Sequence, residues 1–124
     1  MIDHISLGTT RYAQAVAFYR DVLAPLDVSL LRDTGHEAAF GRTERWSFFL
    51  YPVDGAEAVV AKGTHLAFCA TSRDVVRAIH AKALACSARD IFSPRERPDI
   101  SATYFGAMFK DLDGHSIEIL SNTL

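Results

Sequence analysis

Two histidines and one glutamate are the residues of this sequence whose types and positions could do chemistry. His4 and His65 each lie in a predicted strand, and Glu118 lies in the strand that follows the turn signal Asp113-Gly114. Two imidazoles and one carboxylate can hold a divalent metal ion and leave other positions open for water or a substrate. The set suits Zn²⁺, Fe²⁺, Mn²⁺, Co²⁺ or Ni²⁺, and an ion held in this way could act as a Lewis acid.

Strand alternation predicts that these three side chains point to the same face of a sheet. In the last strand, Ile117 and Ile119 share one face and Glu118 points to the other. The same alternation separates His4 and His65 from the large apolar residues of their strands, which should pack against helices. The alternative is that Glu118 is a solvated strand carboxylate and that each histidine has an ordinary surface or core position. Their common orientation favours the metal site.

The chain contains two copies of a βαβββ pattern. The first copy is predicted to have a strand over Ile2–Leu7, a helix over Arg11–Leu23 capped by Thr9 or Thr10, and strands near Val28–Leu31, Glu37–Gly41 and Trp46–Tyr51. The second copy is predicted to begin with a strand over Thr64–Ala70 and a helix from the Ser72 cap to about Cys86. A strand near Asp90–Phe92, a loop over Pro94–Pro98, a strand over Thr103–Phe109 and the strand that carries Glu118 are predicted to follow.

The first strands of the two copies align without gaps, because HISL at residues 4–7 falls on HLAF at residues 65–68. Each copy is too small to bury an apolar sheet face alone. The sequence therefore predicts an α+β fold in which two tandem βαβββ modules, about 1–55 and about 63–122, form a single domain over residues 1–124. The predicted sheet is curved, mixed and mostly antiparallel, an open barrel or cup with the helices on its outer face.

Composition excludes several classes of partner. The chain has 124 residues and a net charge of −2 without any run of like charges, which disfavours binding to nucleic acid or to an anionic membrane. It has neither a basic leader followed by an apolar stretch nor a span of roughly 20 apolar residues, so a cytoplasmic location is expected. Cys69 and Cys86 fit no disulfide framework and are expected to be reduced thiols in packed positions.

Four segments of the sequence resemble the vicinal oxygen chelate superfamily, the glyoxalase, bleomycin-resistance and extradiol-dioxygenase proteins. The segments are MIDHISLGTT, AVAFYRDVL, GTHLAF and DLDGHSIEIL, and the last is similar to the family signature DPDGHxIE with Leu112 in place of proline. The resemblance covers essentially the whole chain. It implies paired βαβββ modules and one divalent metal ion in the cup, with His4, His65 and Glu118 as its ligands.

The resemblance leaves the reaction open. Glyoxalase I enzymes add a fourth ligand in the last strand of the first module, which reads WSFFLY here, so that activity is disfavoured. Extradiol dioxygenases use two histidines and a glutamate on Fe²⁺, but they usually add a further module pair and acid–base residues. Tyr104 is the better candidate for that role here and His36 the weaker one. Fosfomycin-modifying enzymes share the ligand set and the small size, but their anion and cation loops find no clear match.

Two functions are therefore expected as alternatives. The first is a metal-dependent enzyme, lyase-like, isomerase-like or dioxygenase-like, that acts on a small molecule chelated through vicinal oxygens, with Glu118 and Tyr104 as catalytic candidates. The second is a metal-free protein that sequesters a small molecule, as bleomycin-resistance relatives do. In either case a homodimer is expected, with its modules paired within or between chains.

The remaining candidate residues have other interpretations. His115 is expected to have a structural role beside the turn, and His80 to be solvated on the polar side of its helix. Cys69 shares the face of His65 but is expected to be buried. Arg95 or Arg97 could bind an anionic substrate if their loop folds over the cup.

Overall fold

Each predicted repeat forms its own four-stranded sheet and α-helix. The computed structural model describes residues 1–56 and 58–124. This part of the chain divides into two units, Met1–Lys62 and Gly63–Leu124. The boundary falls just before the THLAF segment, at the start of the second copy of the pattern.

The order of elements within each unit is βαβββ. Unit 1 consists of β1 (Ile5–Thr9), α1 (Tyr12–Val22), a 3-10 turn (Ala24–Leu26), β2 (Ser29–Asp33), β3 (Ala38–Arg42) and β4 (Arg45–Pro52). Unit 2 consists of β5 (His65–Cys69), α2 (Arg73–Ala85), β6 (Arg89–Glu96), β7 (Phe105–Lys110) and β8 (Ser116–Ser121). The predicted α+β fold with two βαβββ modules is confirmed.

The two sheets have the same strand order, with one parallel pair each. They run β1-β4-β3-β2 and β5-β8-β7-β6. The first strand of each unit pairs in parallel with its last strand, and the other pairs are antiparallel. A parallel pair requires a crossover connection, and the helix of each unit lies within it. The cup and the single domain over residues 1–124 stay predictions.

Unit 1 buries one face of its sheet against α1. Phe48 and Leu50 of β4 are buried, and the ring of Tyr19 on α1 lies 4.8 Å from that of Phe48 in an edge-to-face contact. The opposite face carries Ser6 of β1, whose register partner on β4 is Phe49. The period-two alternation that was predicted for β1 is therefore present in the sheet.

The two helices begin differently. Ser72 is the N-cap of α2, and its Oγ accepts a hydrogen bond from the backbone N–H of Val75 at 3.2 Å, as predicted. The cap predicted for α1 is wrong, because Arg11 occupies the N-cap position and makes no side-chain capping bond. Thr9 lies two residues before the cap, where its Oγ1 accepts a bond from the N–H of Arg11 at 3.1 Å.

Strand β6 is longer than predicted and includes Pro94, which was assigned to a loop. β6 is at the edge of its sheet, and its register with β7 shifts between Phe92 and Arg95. A proline has no N–H to donate, and edge strands and irregular positions are where a sheet tolerates it. The strand therefore continues through Pro94 to Glu96.

His80 is buried, so the prediction that it is solvated is wrong. Its side chain on α2 is only 7% exposed, and Nε2 lies 2.7 Å from Oδ1 of Asp90 on β6. Asp90 pairs in register with Phe109, which is buried on the side of the sheet that faces α2. The carboxylate gives the imidazole a polar partner, which a buried polar group requires.

Replacing Ser72 with alanine is expected to lower the free energy of unfolding by about 1 kcal/mol, because the N–H of Val75 loses its acceptor. Chemical denaturation monitored by circular dichroism measures this change. Ser29→Ala, at an exposed position of β2, is the matched control and should change stability by less than about 0.5 kcal/mol. Equal losses in the two variants would show that the cap does not stabilise α2.

Candidate functional site

The parallel pairing of β5 with β8 brings His65 and Glu118 together. The register places His65 opposite Ser116 and Ala67 opposite Glu118, so the two side chains point to the same face. Nε2 of His65 lies 3.3 Å from Oε2 of Glu118. The common orientation that alternation predicted for these two residues is present in unit 2.

The loop between β7 and β8 fixes the start of the strand that carries Glu118. The turn signal Asp113-Gly114 predicts that one strand ends near Lys110 and the next begins near His115, and this is confirmed, since β7 ends at Lys110 and β8 begins at Ser116. Gly114 has a φ of 95°, but Asp113 does not take a positive φ. Instead, Oδ1 of Asp111 accepts hydrogen bonds from the N–H groups of Asp113 and His115 at 3.0 and 2.9 Å. The buried main chain of His115 thus has the structural role that was predicted.

Glu118 is not the solvated carboxylate of the alternative interpretation. Its side chain is only 9% exposed, whereas that of His65 is 49% exposed. One carboxylate oxygen, Oε1, accepts a hydrogen bond from the hydroxyl of Tyr104, and the other, Oε2, faces His65. A buried carboxylate is costly unless it is hydrogen-bonded or paired, and both partners of Glu118 come from within unit 2.

Gly106 makes room for the contact between Tyr104 and Glu118. A Cβ atom at Gly106 would lie 3.1 Å from Cε1 of Tyr104 and 3.4 Å from Oε1 of Glu118. The missing side chain therefore lets the ring of Tyr104 lie over β7 and reach the carboxylate. Burial, followed by the hydrogen bond to Glu118, raises the pKa of Tyr104 above its ordinary value, so the hydroxyl keeps its proton at neutral pH.

His4 lies in unit 1, one residue before β1. Its Nδ1 is 2.8 Å from Oδ2 of Asp3, and this hydrogen bond lowers the pKa of Asp3. Its ring contacts that of Phe49 edge to face, with the centroids 5.2 Å apart. His4 therefore shares the side of its sheet with Phe49 and Ser6, as alternation predicted. That His4 joins His65 and Glu118 at one metal ion stays a prediction.

Arg97, which the sequence offered with Arg95 as a group that could bind an anionic substrate, lies near enough to Glu118 for the two charges to interact. The N–H of Arg97 donates to the carbonyl of Tyr104 at 3.0 Å, and its guanidinium binds the carboxylate of Asp99 through Nε and Nη2. This pairing raises the pKa of Arg97, and the charge of Glu118 contributes further.

Cys69 lies on the same face of β5 as His65 but is exposed, so the prediction that it is a packed thiol is wrong.

Comparison with known proteins assigns the family. The model of the Glyoxalase/Bleomycin resistance protein/Dioxygenase superfamily matches residues 1–119. The chain belongs to this superfamily. No curated protein sequence matches the chain.

Solved structures of the superfamily share the fold of this member at low sequence identity. A glyoxalase/bleomycin resistance protein from Albidiferax ferrireducens T118 is 21% identical, with a TM-score of 0.85 and 98% of each chain covered. The fosfomycin resistance protein FosX from Listeria monocytogenes is 19% identical, with a TM-score of 0.73 over 100% of this chain and 94% of that one. A putative glyoxalase from Bacillus halodurans is 14% identical, with a TM-score of 0.74 over 98% and 95%.

The donor atoms of His65 and Glu118 fit a shared divalent ion. Metal–nitrogen and metal–oxygen bonds of about 2.1 Å, at angles between about 90° and 109°, place two neighbouring donors roughly 3.0 to 3.4 Å apart. The observed separation of 3.3 Å between Nε2 and Oε2 falls in this range. Within the described residues of unit 2, no further histidine, cysteine, aspartate or glutamate completes a group of three. The pair therefore suits an ion that takes its remaining ligands from elsewhere.

Among the described residues, no helix is long and apolar enough to span a membrane.

Replacing Tyr104 with phenylalanine is expected to lower the free energy of unfolding by about 1.5 to 3 kcal/mol, because the buried Glu118 loses a hydrogen bond to a charged acceptor. Tyr12→Phe is the matched control, since its hydroxyl donates to the exposed carboxylate of Asp33 at 2.8 Å. That variant should lose less than about 1 kcal/mol. Urea titrations of both variants measure the difference, and a Tyr104→Phe protein no less stable than Tyr12→Phe would contradict the role given to this bond.

Proposed function

We propose that this member of the superfamily is a divalent-metal-dependent enzyme that acts on a small molecule through two neighbouring oxygen atoms. The observation that carries the proposal is the buried carboxylate of Glu118, which directs Oε2 at the imidazole of His65. Burying a carboxylate beside a histidine costs free energy, and catalytic and metal sites are where such arrangements occur. Carboxylate and imidazole are donors that suit Zn²⁺, Fe²⁺, Mn²⁺, Co²⁺ and Ni²⁺.

His65 and Glu118 would hold the ion, with His4 as the third ligand. The ion would supply Lewis-acid chemistry, polarising the oxygens of a bound molecule. The hydrogen bond from Tyr104 to Oε1 orients the carboxylate and leaves Oε2 as the donor atom that faces His65. An outer hydrogen bond of this kind fixes a ligand's direction and tunes its basicity.

Tyr104 and Glu118 are the groups of unit 2 that could also move a proton. The Tyr104 hydroxyl keeps its proton at neutral pH, because burial and the bond to Glu118 raise its pKa. Because the raised pKa makes this hydroxyl a weak acid, it would give its proton only to a strongly basic oxygen of a bound molecule, such as an enolate or alkoxide oxygen, while Glu118 would accept a proton from that molecule. We therefore assign Glu118 the roles of ligand and proton acceptor, and Tyr104 the role of proton donor.

The proposal predicts that protein purified without chelators or a metal-binding tag contains about one equivalent of divalent metal. Elemental analysis by mass spectrometry measures the content, and His65→Ala and Glu118→Gln should each lose most of it, because each removes one ligand. His36→Ala, which changes an exposed histidine of unit 1, is the matched control and should retain the metal.

Two results would contradict the proposal. The first is a protein that carries no metal and binds none of the five ions when they are added. The second is a His65→Ala variant that keeps its full metal content while remaining folded by circular dichroism. The first result would favour the alternative function, in which a metal-free protein sequesters a small molecule, and the second would show that the ion is held by residues other than His65.

We also propose that the protein is a homodimer with two equivalent sites. The late strands of both modules are rich in aromatic residues, more than one helix layer readily covers, but Phe48, Phe105 and Phe109 are buried within the chain and cannot form an interface. Trp46 and Tyr51 of β4 remain exposed, and both contact the ring of Phe49. An exposed aromatic cluster of this kind is typical of protein interfaces.

Light scattering at low micromolar concentration should give twice the chain mass of 13.7 kDa. Trp46→Lys should shift the mass towards the monomer, because it places a charge in the aromatic cluster. Ile91→Lys, at an exposed position of β6, is the control and should not change the mass. A monomer mass for the unmodified protein would contradict the proposal.

A further inference from the structure

We propose that the face of unit 2 that carries Glu118 recognises an oxyanion on its substrate, a carboxylate or a phosphonate, through the guanidinium of Arg95. This inference rests on the proposed function and specifies its substrate class. The substrate would be a small acid with an apolar part between its anionic group and the atoms that approach His65 and Glu118.

A row of side chains connects Glu118 with the position of Arg95. Glu118 pairs in register with Met108 of β7, and Met108 pairs with Phe92 of β6. Directly paired residues of neighbouring strands point to the same face, so all three side chains lie on the face opposite α2. Strands lie about 4.8 Å apart, which puts Phe92 roughly 10 Å from Glu118 along this row.

The guanidinium of Arg95 lies at the far end of this row. Arg95 pairs with Gly106, so it shares the same face, and its Cζ is 4.5 Å from the centroid of the Phe92 ring. Arg97 approaches the same ring at 5.6 Å. A guanidinium that lies over an aromatic ring keeps the N–H groups in its own plane free to meet a planar or tetrahedral oxyanion.

The two arginines differ in their present partners. Arg97 is engaged by Asp99, which accepts hydrogen bonds from Nε and Nη2 at 2.9 and 2.7 Å. Arg95 is exposed, and in the described part of the chain its guanidinium contacts the Phe92 ring and interacts with the charge of Asp99, but it makes no side-chain hydrogen bond or ion pair within bonding distance. Of the two arginines at the Phe92 ring, Arg95 is therefore the one that can bind an anion without first losing a hydrogen bond.

An anion subsite at Arg95 would lie next to the apolar side chains of Phe92 and Met108. Phe92 and Met108 are half-buried, so they offer an apolar surface between the charged groups at either end. A ligand that spans the row would place its anionic group on Arg95 and its opposite end beside His65 and Glu118. A guanidinium that forms paired hydrogen bonds with an oxyanion selects that charge over a neutral group of equal size.

Benzoate and phenylphosphonate are suitable probes, because each joins one oxyanion to an apolar ring. Benzamide is the neutral counterpart of benzoate. Titration of ¹⁵N-labelled protein, followed through backbone amide shifts, should show saturable binding of both anions with shifts at Phe92 and Arg97. Benzamide should bind about tenfold more weakly or worse, because it lacks the charge.

Two variants test which arginine is responsible. Arg95→Gln should weaken binding of both anions about tenfold or more, since it removes a charge-assisted hydrogen bond. Arg77→Gln is the matched control, because Arg77 also stacks on a phenyl ring, that of Phe105 at 4.7 Å, but on the other side of the sheet. It should leave the affinity unchanged within twofold.

A third variant separates this inference from the proposed metal site. Binding of benzoate should persist in His65→Ala, because the subsite depends on Arg95 rather than on an ion. If that variant loses both metal and benzoate, the anion binds at the metal and the inference is wrong. If the protein holds no metal yet binds benzoate through Arg95, the proposed function fails while the subsite stands.

Three further outcomes would overturn the inference. They are the absence of saturable binding by either anion, equal affinity for benzoate and benzamide, or equal losses in Arg95→Gln and Arg77→Gln.

Discussion

The parallel pairing of β5 with β8 is the constraint on which the candidate site depends. His65 and Glu118 lie about half the chain apart in sequence, yet the register brings their side chains to 3.3 Å on one face. The register of β8 cannot shift by one residue, because such a shift would exchange the two faces of the strand and direct Glu118 at α2. Ile117 and Ile119 oppose such a slip, since both are fully buried on the helix side. Core packing therefore sets the position of the carboxylate.

The second constraint is the need to satisfy a carboxylate that is nearly inaccessible to water. Glu118 gains one hydrogen bond from Tyr104 and one charge-compatible neighbour in His65. The Tyr104 ring occupies space that any side chain at position 106 would fill, so a glycine in β7 is part of the arrangement. A glycine weakens a strand, and its presence here is explained by the close approach of the ring. Gly106 therefore lowers the stability of β7 at the position where the Tyr104 ring needs space.

Sequence periodicity was sufficient for the repeat and for the orientation of side chains within each sheet. The pattern Ile117, Glu118, Ile119 specifies the faces of β8 because alternation is a property of the strand alone. The bond from Tyr104 to Glu118 could not be predicted in this way, since it depends on the space above Gly106. The burial of His80 against the carboxylate of Asp90 on β6 was missed for a similar reason, because a residue's position on its helix does not reveal a partner on a strand.

Loops were predicted less well than strands, for a physical reason. The signal Asp113-Gly114 predicted where the connection before β8 begins and ends, but not its hydrogen bonding, in which the side chain of Asp111 accepts bonds from two backbone N–H groups. Such Asx hydrogen bonds compete with tight-turn geometry, and composition does not show which arrangement has the lower free energy. The proposed grouping of His4 with His65 and Glu118 cannot be derived from strand alternation, because it depends on the arrangement of two separately hydrogen-bonded sheets.

The irregular outer strand of unit 2 has a consequence for the protein's behaviour at high concentration. An edge strand normally presents a regular row of backbone groups that can template a strand from another molecule, the first step towards fibrous aggregates. In β6 the missing N–H of Pro94 and two breaks in register interrupt that row. The outer edge of this sheet is therefore a poor template for the addition of a strand from another molecule.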